Sequence, residues 1–211
     1  MNFSNEQRVE AIILAAGLST RMGSDKMALK VSGQTVLNKT LIETLNSRIG
    51  KIVTITRPGL DLDMVEQYSR FFKKDVTNVS NFWPEEGMSL SIKLGLTQVG
   101  VEAKAVMIIL ADQILLNTFL IDKLVGESLG NSDKIVVPSI FGRKTTPVIF
   151  PASFFNKLRK ISGDKGGKEI LAMEGRMIHT VELGQKYDDT DIDTPEDYST
   201  VVSKFINNNR V

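Results

Sequence analysis

The sequence contains no cysteine, so it offers no disulfide framework, no thiolate metal centre and no cysteine nucleophile. It has one histidine, His179, which excludes a site built from several imidazoles and reads as an ordinary strand residue. Net charge is equally sparse. With 26 Lys and Arg against 25 Asp and Glu, the balance is +1, too little for the broad field that gathers nucleic acid or a membrane surface. Neither partner is expected, and any positive potential must be local. The first apolar run is far shorter than a membrane anchor and lacks a basic leader, so a cytoplasmic location is expected. No internal repeat, low-complexity run or linker appears, and 211 residues suit one domain spanning residues 1–211.

What the chain does have is concentrated in residues 11–30, AIILAAGLSTRMGSDKMALK. Ala11 to Ala16 form a continuous apolar run closed by Gly17, the pattern of a strand buried on both faces. The loop that follows holds Gly17, Ser19, Thr20, Arg21, Gly23 and Lys26. It combines backbone able to approach an anion, hydroxyl donors, a planar cationic fork and a point charge. That is phosphate-handling chemistry, in a form that matches neither common phosphate loop. Five residues separate Gly17 from Gly23 and Lys26 comes three later, which breaks G-x-x-x-x-G-K-S/T, and G-x-G-x-x-G is absent.

Residues 1–7 are polar and expected to fray. Thr35 to Arg48 puts Val36, Leu37, Leu41, Ile42 and Leu45 near helical spacing. Lys51 to Thr56 reads as a second strand ended by Arg57-Pro58-Gly59, residues 61–72 as a helix, and Asp75 to Val79 as a third strand. Pro84 and Gly87 make a loop, after which Ser89, Ser91, Ile92, Leu94 and Leu96 enter a helix whose amino terminus can present amides to a ligand. Ala105 to Leu110, AVMIIL, is the most apolar run and reads as a central strand with Asp112 at its carboxyl end. Ligands of open α/β sheets bind at that end, and a carboxylate there, opposite a cationic loop, suits a hard cation that bridges phosphate oxygens. Asn117 or Thr118 caps the helix Phe119 to Leu129.

Lys134 to Pro138 is another buried strand, Phe141 to Phe150 a hairpin or edge element, Ala152 to Ile161 a short helix, and Met177 to Leu183 a further strand. Between the last two, GDKGGKEIL at Gly163 to Leu171 gives flexible backbone at Gly166-Gly167 before a helix, with positive charge from Lys165 and Lys168. That reads either as a phosphate site in outline, with Asp164 beside it, or as a flexible surface turn. Thr194 as N-cap, Pro195 at the first helical position, and Glu196 and Asp197 in the first turn start a final helix. A cap accounts for these four residues but not for Asp191 and Asp193.

In order along the chain, these segments resemble the molybdenum cofactor nucleotidyltransferases, a branch of the nucleotide-diphospho-sugar transferase fold. The signature LAxGxSxRMGxxK is met at Leu14, Ala15, Gly17, Ser19, Arg21, Met22, Gly23 and Lys26. A second pattern, resembling N-p-x-x-x-x-G-M-S-x-S-L-x-x-G-L, is matched by Asn81, Glu86, Gly87, Met88, Ser89, Ser91 and Gly95, with Phe82 where proline is usual and Leu90 where a small residue is common. Asp112-Gln113 fits the third, with Ile114 in place of proline. Where relatives tend to read G-H-P-V-x-F, this chain has Thr145-Thr146-Pro147-Val148. Gly163 to Leu171 and Asp191 to Asp197 resemble the last two patterns.

The resemblance implies an α/β fold: a doubly wound, mostly parallel, Rossmann-like sheet with helices on both faces and a small antiparallel element. It implies nucleotidyl transfer in which an acceptor phosphate oxygen attacks the α-phosphorus of an NTP and pyrophosphate leaves. Arg21 and Lys26 would be catalytic; Leu14, Ala15, Ala16, Gly17, Ser19, Asn81, Gly87, Ser89 and Ser91 would bind the nucleotide; and magnesium would lie between Asp112 and Asp193. Thr146, Asp164, Gly166, Gly167 and Lys168 would serve the acceptor. LAAG is typical of the cytidylyltransferases, and the Ala16 methyl narrows the base pocket, which favours CTP. The acceptor implied is the molybdopterin cofactor, with an apo-enzyme as the possible recipient of the product and a monomer assumed. Because Ile114 and Thr145-Thr146 break the acceptor-side patterns, a transferase for another phosphorylated small molecule is the rival. A second is a non-catalytic module that carries or inserts the cofactor.

Overall fold

The apolar run at the start of the chain becomes β1, Arg8–Ala15, and its side chains divide between two layers. Ala11, Ile13 and Ala15 enter one core, Ile12 and Leu14 the other. Both faces of the strand are covered, which is why the run is continuous rather than alternating. Fully burying each isoleucine contributes about 1.5–3 kcal/mol. The computed structural model describes residues 8–59, 70–184 and 187–208. The expected fraying of residues 1–7 and most of the expected helix at 61–72 lie outside the described residues; 70–72, its end, are helical.

Within these residues β1 pairs in parallel with β4 (Lys51–Thr56) on one side and with β6 (Ala103–Leu110) on the other. β5 (Asp75–Ser80) continues the sheet beyond β4. The chain thus builds outward from β1 in one direction and then crosses back to its other side, so the strand order reverses between β1 and β6. A crevice at the carboxyl ends of the strands is expected at such a reversal. On the far side come β9 (Val148–Pro151), β7 (Ile135–Ile140) and β10 (Ile178–Glu182), with β8 (Arg143–Lys144) on β7, making an eight-stranded sheet. The pairings of β9 and β8 are antiparallel and the rest parallel. A separate antiparallel pair, β2 (Lys30–Val31) and β3 (Gln34–Thr35), flanks the turn at Ser32-Gly33.

One layer contains α1 (Val36–Asn46), α3 (Thr118–Gly130) and the start of α6 (Pro195–Asn208), through Leu37, Leu41, Leu120, Ile121 and Val201. The other contains α2 (Met88–Gln98), α4 (Phe155–Leu158) and α5 (Lys168–Met173), through Ile92, Leu96, Leu158 and Ile170. Local chemistry starts several of these helices. Thr35 Oγ1 accepts the Asn38 amide at 3.2 Å and Asn117 Oδ1 the Leu120 amide at 2.9 Å. At α6, Thr194 Oγ1 accepts the Asp197 amide at 3.2 Å while Asp197 Oδ2 accepts the Thr194 amide at 2.8 Å. Each such cap is worth about 1 kcal/mol.

The hairpin expected around Gly142 is present as β7 and β8. The continuation to Phe150 is no edge, however: β9 lies between β6 and β7. Val148 and Phe150 point into one core and Ile149 into the other, all buried. The helix expected over Ala152 to Ile161 is shorter, a 3-10 turn at Ala152–Phe154 followed by α4.

Candidate active site

The phosphate loop leaves β1 at Ala15, crosses the carboxyl ends of the parallel strands and returns in a short 3-10 turn, Lys26–Ala28. Ser19 takes a left-handed backbone, φ 54°, and its carbonyl accepts the Met22 amide at 3.0 Å, so the loop doubles back on itself. β6 ends beside it. The Ala111 amide donates to Leu14 O at 3.1 Å, which carries the register of β1 and β6 one step further and brings Asp112 opposite the loop. The segment before α6 docks on the same spot through the Ile192 amide, 3.3 Å from Asp112 O.

These contacts gather residues distant in sequence. Lys26 Nζ donates to Asp112 Oδ2 at 2.6 Å and to Asp193 Oδ1 at 3.2 Å. Arg21 Nη2 donates to Asp193 Oδ2 at 2.8 Å. The Lys26 and Asp112 side chains are only 12% and 16% exposed, whereas Arg21 is 69% exposed. Screening by water makes the Arg21 contact the weaker one, and losing either member of the sheltered pair would strand the other's charge. Burial pulls the Lys26 ammonium down, but the charge of Asp112 and its hydrogen bond, followed by those of Asp193, outweigh it and hold the pKa above the ordinary value.

The surrounding cavity has a volume of about 520 Å³. Leu14, Ala15, Ala16, Gly17, Ser19, Arg21 and Lys26 form one wall; Gly87, Ser91, Asp164 and Lys168 form another, and Asp112, Asp191 and Asp193 lie between them. A smaller cavity of about 420 Å³ adjoins it through Ala15, Pro84 and Glu85. Asn81, Ser89, Thr146, Gly166 and Gly167 are not in the wall of the larger cavity. Asn81 is fully buried behind it, its amide donating to Ser91 Oγ at 3.0 Å and its Oδ1 accepting the Trp83 amide at 2.9 Å. Thr146 donates its hydroxyl to Gln113 Oε1. Gly166 and Gly167 are points of close packing: a Cβ on either would come within 2.6 Å of Met88 Sδ or 2.7 Å of Phe150 Cζ. The Lys165 side chain lies outside what the structure describes.

Asp164 closes the second wall. Its Oδ1 accepts the Met88 amide at 3.2 Å, capping α2, whose own N-cap, Gly87, has no side chain to do so. A Cβ on Gly87 would come within 2.7 Å of Gly163 C and 2.6 Å of Asp164 Oδ1. The two segments therefore touch backbone to backbone.

The sequence left Asp191 without a role, and the structure puts it in the cavity. Burial, then the Asp112 carboxylate, pushes its pKa up; the Gln113 side chain opposes this, Asp193 adds to it and Lys26 opposes it, leaving a value of about 6. Its Oδ1 is buried without a hydrogen-bond partner. The signal was the D-I-D spacing: in extended chain, alternate residues share a side, and Ile192 between the two aspartates is fully buried. Carboxylates that converge on one cation, with an orphan carboxylate oxygen nearby, are the donor chemistry of a hard divalent ion. In the present conformation the Lys26 ammonium holds that position, and among the described residues no three His, Cys, Asp or Glu side chains are grouped as a metal cluster.

The family model for the MobA-like NTP transferase domain matches residues 11–181, a span that runs from β1 through the cavity to β10. The chain belongs to the MobA-like NTP transferase family. Among curated relatives, the purine catabolism protein PucB of Bacillus subtilis is 27% identical over 198 residues, covering 90% of this chain and 94% of its own length. Solved structures share the fold. Rv0371c of Mycobacterium tuberculosis, in complex with manganese, superposes with a TM-score of 0.73 at 21% identity, covering 93% of this chain and 98% of that one. The 4-diphosphocytidyl-2C-methyl-D-erythritol synthase of Anaerococcus prevotii does so with a TM-score of 0.75 at 17% identity, covering 97% and 99%. The fold is thus the nucleotide-diphospho-sugar transferase, Rossmann-like one, and the family is one of nucleotidyltransferases. Among the described residues no helix is long and apolar enough to cross a membrane.

Proposed function

We propose that the chain transfers CMP from CTP to a molybdopterin-type phosphorylated acceptor and releases pyrophosphate. The observation that carries this reading is the Lys26 ammonium set between Asp112 and Asp193, with Arg21 beside it, at the strand reversal where an open α/β sheet takes its ligand.

An acceptor phosphate oxygen attacks the α-phosphorus of CTP, the bond from that phosphorus to the bridging oxygen of the β-phosphate breaks, and pyrophosphate departs with the electron pair. The nucleophile is already an anion and needs no base. The barrier lies in bringing negative groups together and stabilising the charge that develops. Arg21 and Lys26 supply two cations aimed into the cavity, and loop amides around Gly17 and Ser19 supply further donors. Asp112 and Asp193 would hold a magnesium ion, which supplies neutralisation of phosphate charge when bound; the manganese bound by Rv0371c is in keeping with a divalent ion in this fold. Ala16 lines the cavity with a methyl where glycine would leave more room, and this supports a pyrimidine over a purine. In this reading Ser91 and Gly87 face the nucleotide while Asn81 and Ser89 act from behind, and Asp164 and Lys168 meet the acceptor.

A second acceptor is favoured by one observation. Thr145 Oγ1 donates to Asp189 and Thr146 Oγ1 to Gln113, so the pair that replaces the usual histidine turns its hydroxyls to the protein. Pyrophosphate release, measured with CTP, GTP, ATP and UTP against the molybdenum cofactor and other phosphorylated small molecules, tests both readings. Equal turnover with CTP and GTP would remove the argument from Ala16, and acceptor binding without pyrophosphate release would make the protein a carrier.

A further inference from the structure

We propose that Arg57 is a positioning residue for Lys26, acting through Asp25. Lys26 opens a 3-10 turn of three residues, too short to hold its own place. The residue before it fixes where the turn begins: Asp25 is extended, and its Oδ1 accepts the Met27 amide at 3.1 Å. The other carboxylate oxygen, Oδ2, accepts from Arg57 Nη2 at 2.7 Å. Arg57 directly follows Thr56, the last residue of β4, and Thr56 is in register with Ala15, the last residue of β1. The guanidinium therefore reaches the loop from the same pair of strands that launches it. Its side chain is 25% exposed and that of Asp25 35%, sheltered enough for the pair to hold.

The rest of the loop grips Lys26 weakly. Its amide meets Ser19 Oγ at 3.4 Å, at the long limit of a hydrogen bond. The ammonium is held at the two carboxylates that this reading assigns to the reaction, the Lys26 carbonyl accepts the Leu29 amide at 3.3 Å, and the neighbouring Met27 side chain is buried in the core. Once ligands draw the ammonium away from Asp112 and Asp193, the Arg57–Asp25 pair sets where the turn begins, while the buried Met27 anchors its far side. Misplacement of a reacting or stabilising group by about 1 Å costs on the order of a hundredfold in rate, so the pair acts on turnover without touching the reacting atoms. Arg57 and Asp25 also line the smaller cavity, and a direct contact between Arg57 and the nucleotide is the explanation to be separated from positioning.

The inference rests on the proposed function for its kinetic readout and on a chemical readout that needs no substrate. Arg57→Gln, Asp25→Asn, the double variant and Arg57→Lys are compared for pyrophosphate release from CTP, for melting temperature, and for acylation of Lys26 by an N-hydroxysuccinimide ester. Acylation is followed by peptide mass spectrometry with the exposed Lys104 as reference. Positioning predicts that Arg57→Gln and Asp25→Asn each lower kcat by roughly ten- to a hundredfold at unchanged KM for CTP. The double variant is no worse than either single one, Arg57→Lys recovers most of the loss, and Lys26 acylation accelerates severalfold relative to Lys104 in both single variants. Additive losses, or a rise in KM alone with Lys26 as protected as in the parent, overturn the proposal and assign Arg57 to the nucleotide. If the parent protein releases no pyrophosphate with any nucleotide, the proposed function fails by itself. The acylation result then decides the inference: unaltered Lys26 reactivity in Arg57→Gln and Asp25→Asn overturns it. A variant with a depressed melting temperature is judged by its Arg57→Lys counterpart.

Discussion

The wall that carries Arg21 and Lys26 and the wall that carries Asp164 and Lys168 face the same cavity, but different forces hold them. The first hangs from the ends of β1 and β6 and is completed by ion pairs across 86 and 167 positions of sequence, Lys26 to Asp112 and Lys26 to Asp193. The second is a packing contact: Gly87 against Gly163 and Asp164, Gly166 against Met88, Gly167 against Phe150. Ion pairs can be exchanged for a ligand's charges while the chain stays folded. Close packing of this kind has no partial state, because the neighbouring atoms have nowhere to go. Substitutions in the first wall should therefore alter chemistry foremost, with a stability cost where the sheltered Lys26–Asp112 pair is broken, and those in the second should alter stability or acceptor affinity at near-constant chemistry.

Lys26→Ala is the strongest test of that contrast. Removing the charge should lower kcat by roughly a thousandfold, more than it raises KM for CTP. It should also leave Asp112 unpaired and Asp193 with Arg21 alone, so that manganese binds more tightly than to the parent protein when no nucleotide is present, as titration by electron paramagnetic resonance would read. Asp112→Asn should cut turnover by about a hundredfold and raise the magnesium requirement, and Asp193→Asn should do the same. A wild-type magnesium titration for Asp193→Asn alone would reduce that motif to a helix cap.

The second wall should respond otherwise. Gly87→Ala must place a Cβ within 2.7 Å of Gly163 C at φ +87°, and should lower stability in urea by about 1–3 kcal/mol. Lys168→Ala should raise KM for the acceptor by roughly tenfold and leave that for CTP alone, the loss of one charge-assisted contact. The smallest effect belongs to an exposed clamp outside the cavity lining. Arg143 pairs with Asp189 through two contacts of 2.9 Å. The Arg143 hydrogen bond holds the Asp189 pKa below the ordinary 3.8, against burial and with help from Thr145. A depressed carboxylate stabilises the fold fully above its unfolded pKa and loses that contribution as pH falls through the folded one. Arg143→Gln should thus be slightly less stable than the parent at pH 7, with the difference vanishing in acid, as paired melts would record.

How legible each wall was follows from the same distinction. β1, its loop, Asp112 at a strand end and the caps at Asn117 and Thr194 are written in neighbouring residues, and a reading of spacing finds them. The family patterns add Asp193. Gly166-Gly167 reads locally as a flexible turn, because the reason for both glycines lies in Met88 and Phe150, far away in sequence. β9 reads as an edge for the same reason: nothing within residues 148–151 says which strands lie on either side. Asn81 falls in the right pattern but is turned away from the cavity, since its amide completes a buried contact with Ser91 that spacing does not reveal. Asp191 was within reach, through its two-residue offset from Asp193.

The Asp164 carboxylate at the amino terminus of α2 has a consequence for the order of events. A helix start attracts anions, and this one is already occupied by a tethered carboxylate at high effective concentration. Free inorganic phosphate, with no other contacts to make, should compete poorly for it. A ligand that also engages Ser91 or Lys168 can displace Asp164, and the work of displacement is done once. If both proposed substrates require Asp164 to leave, thermodynamic reciprocity means that the one binding second finds the segment already released.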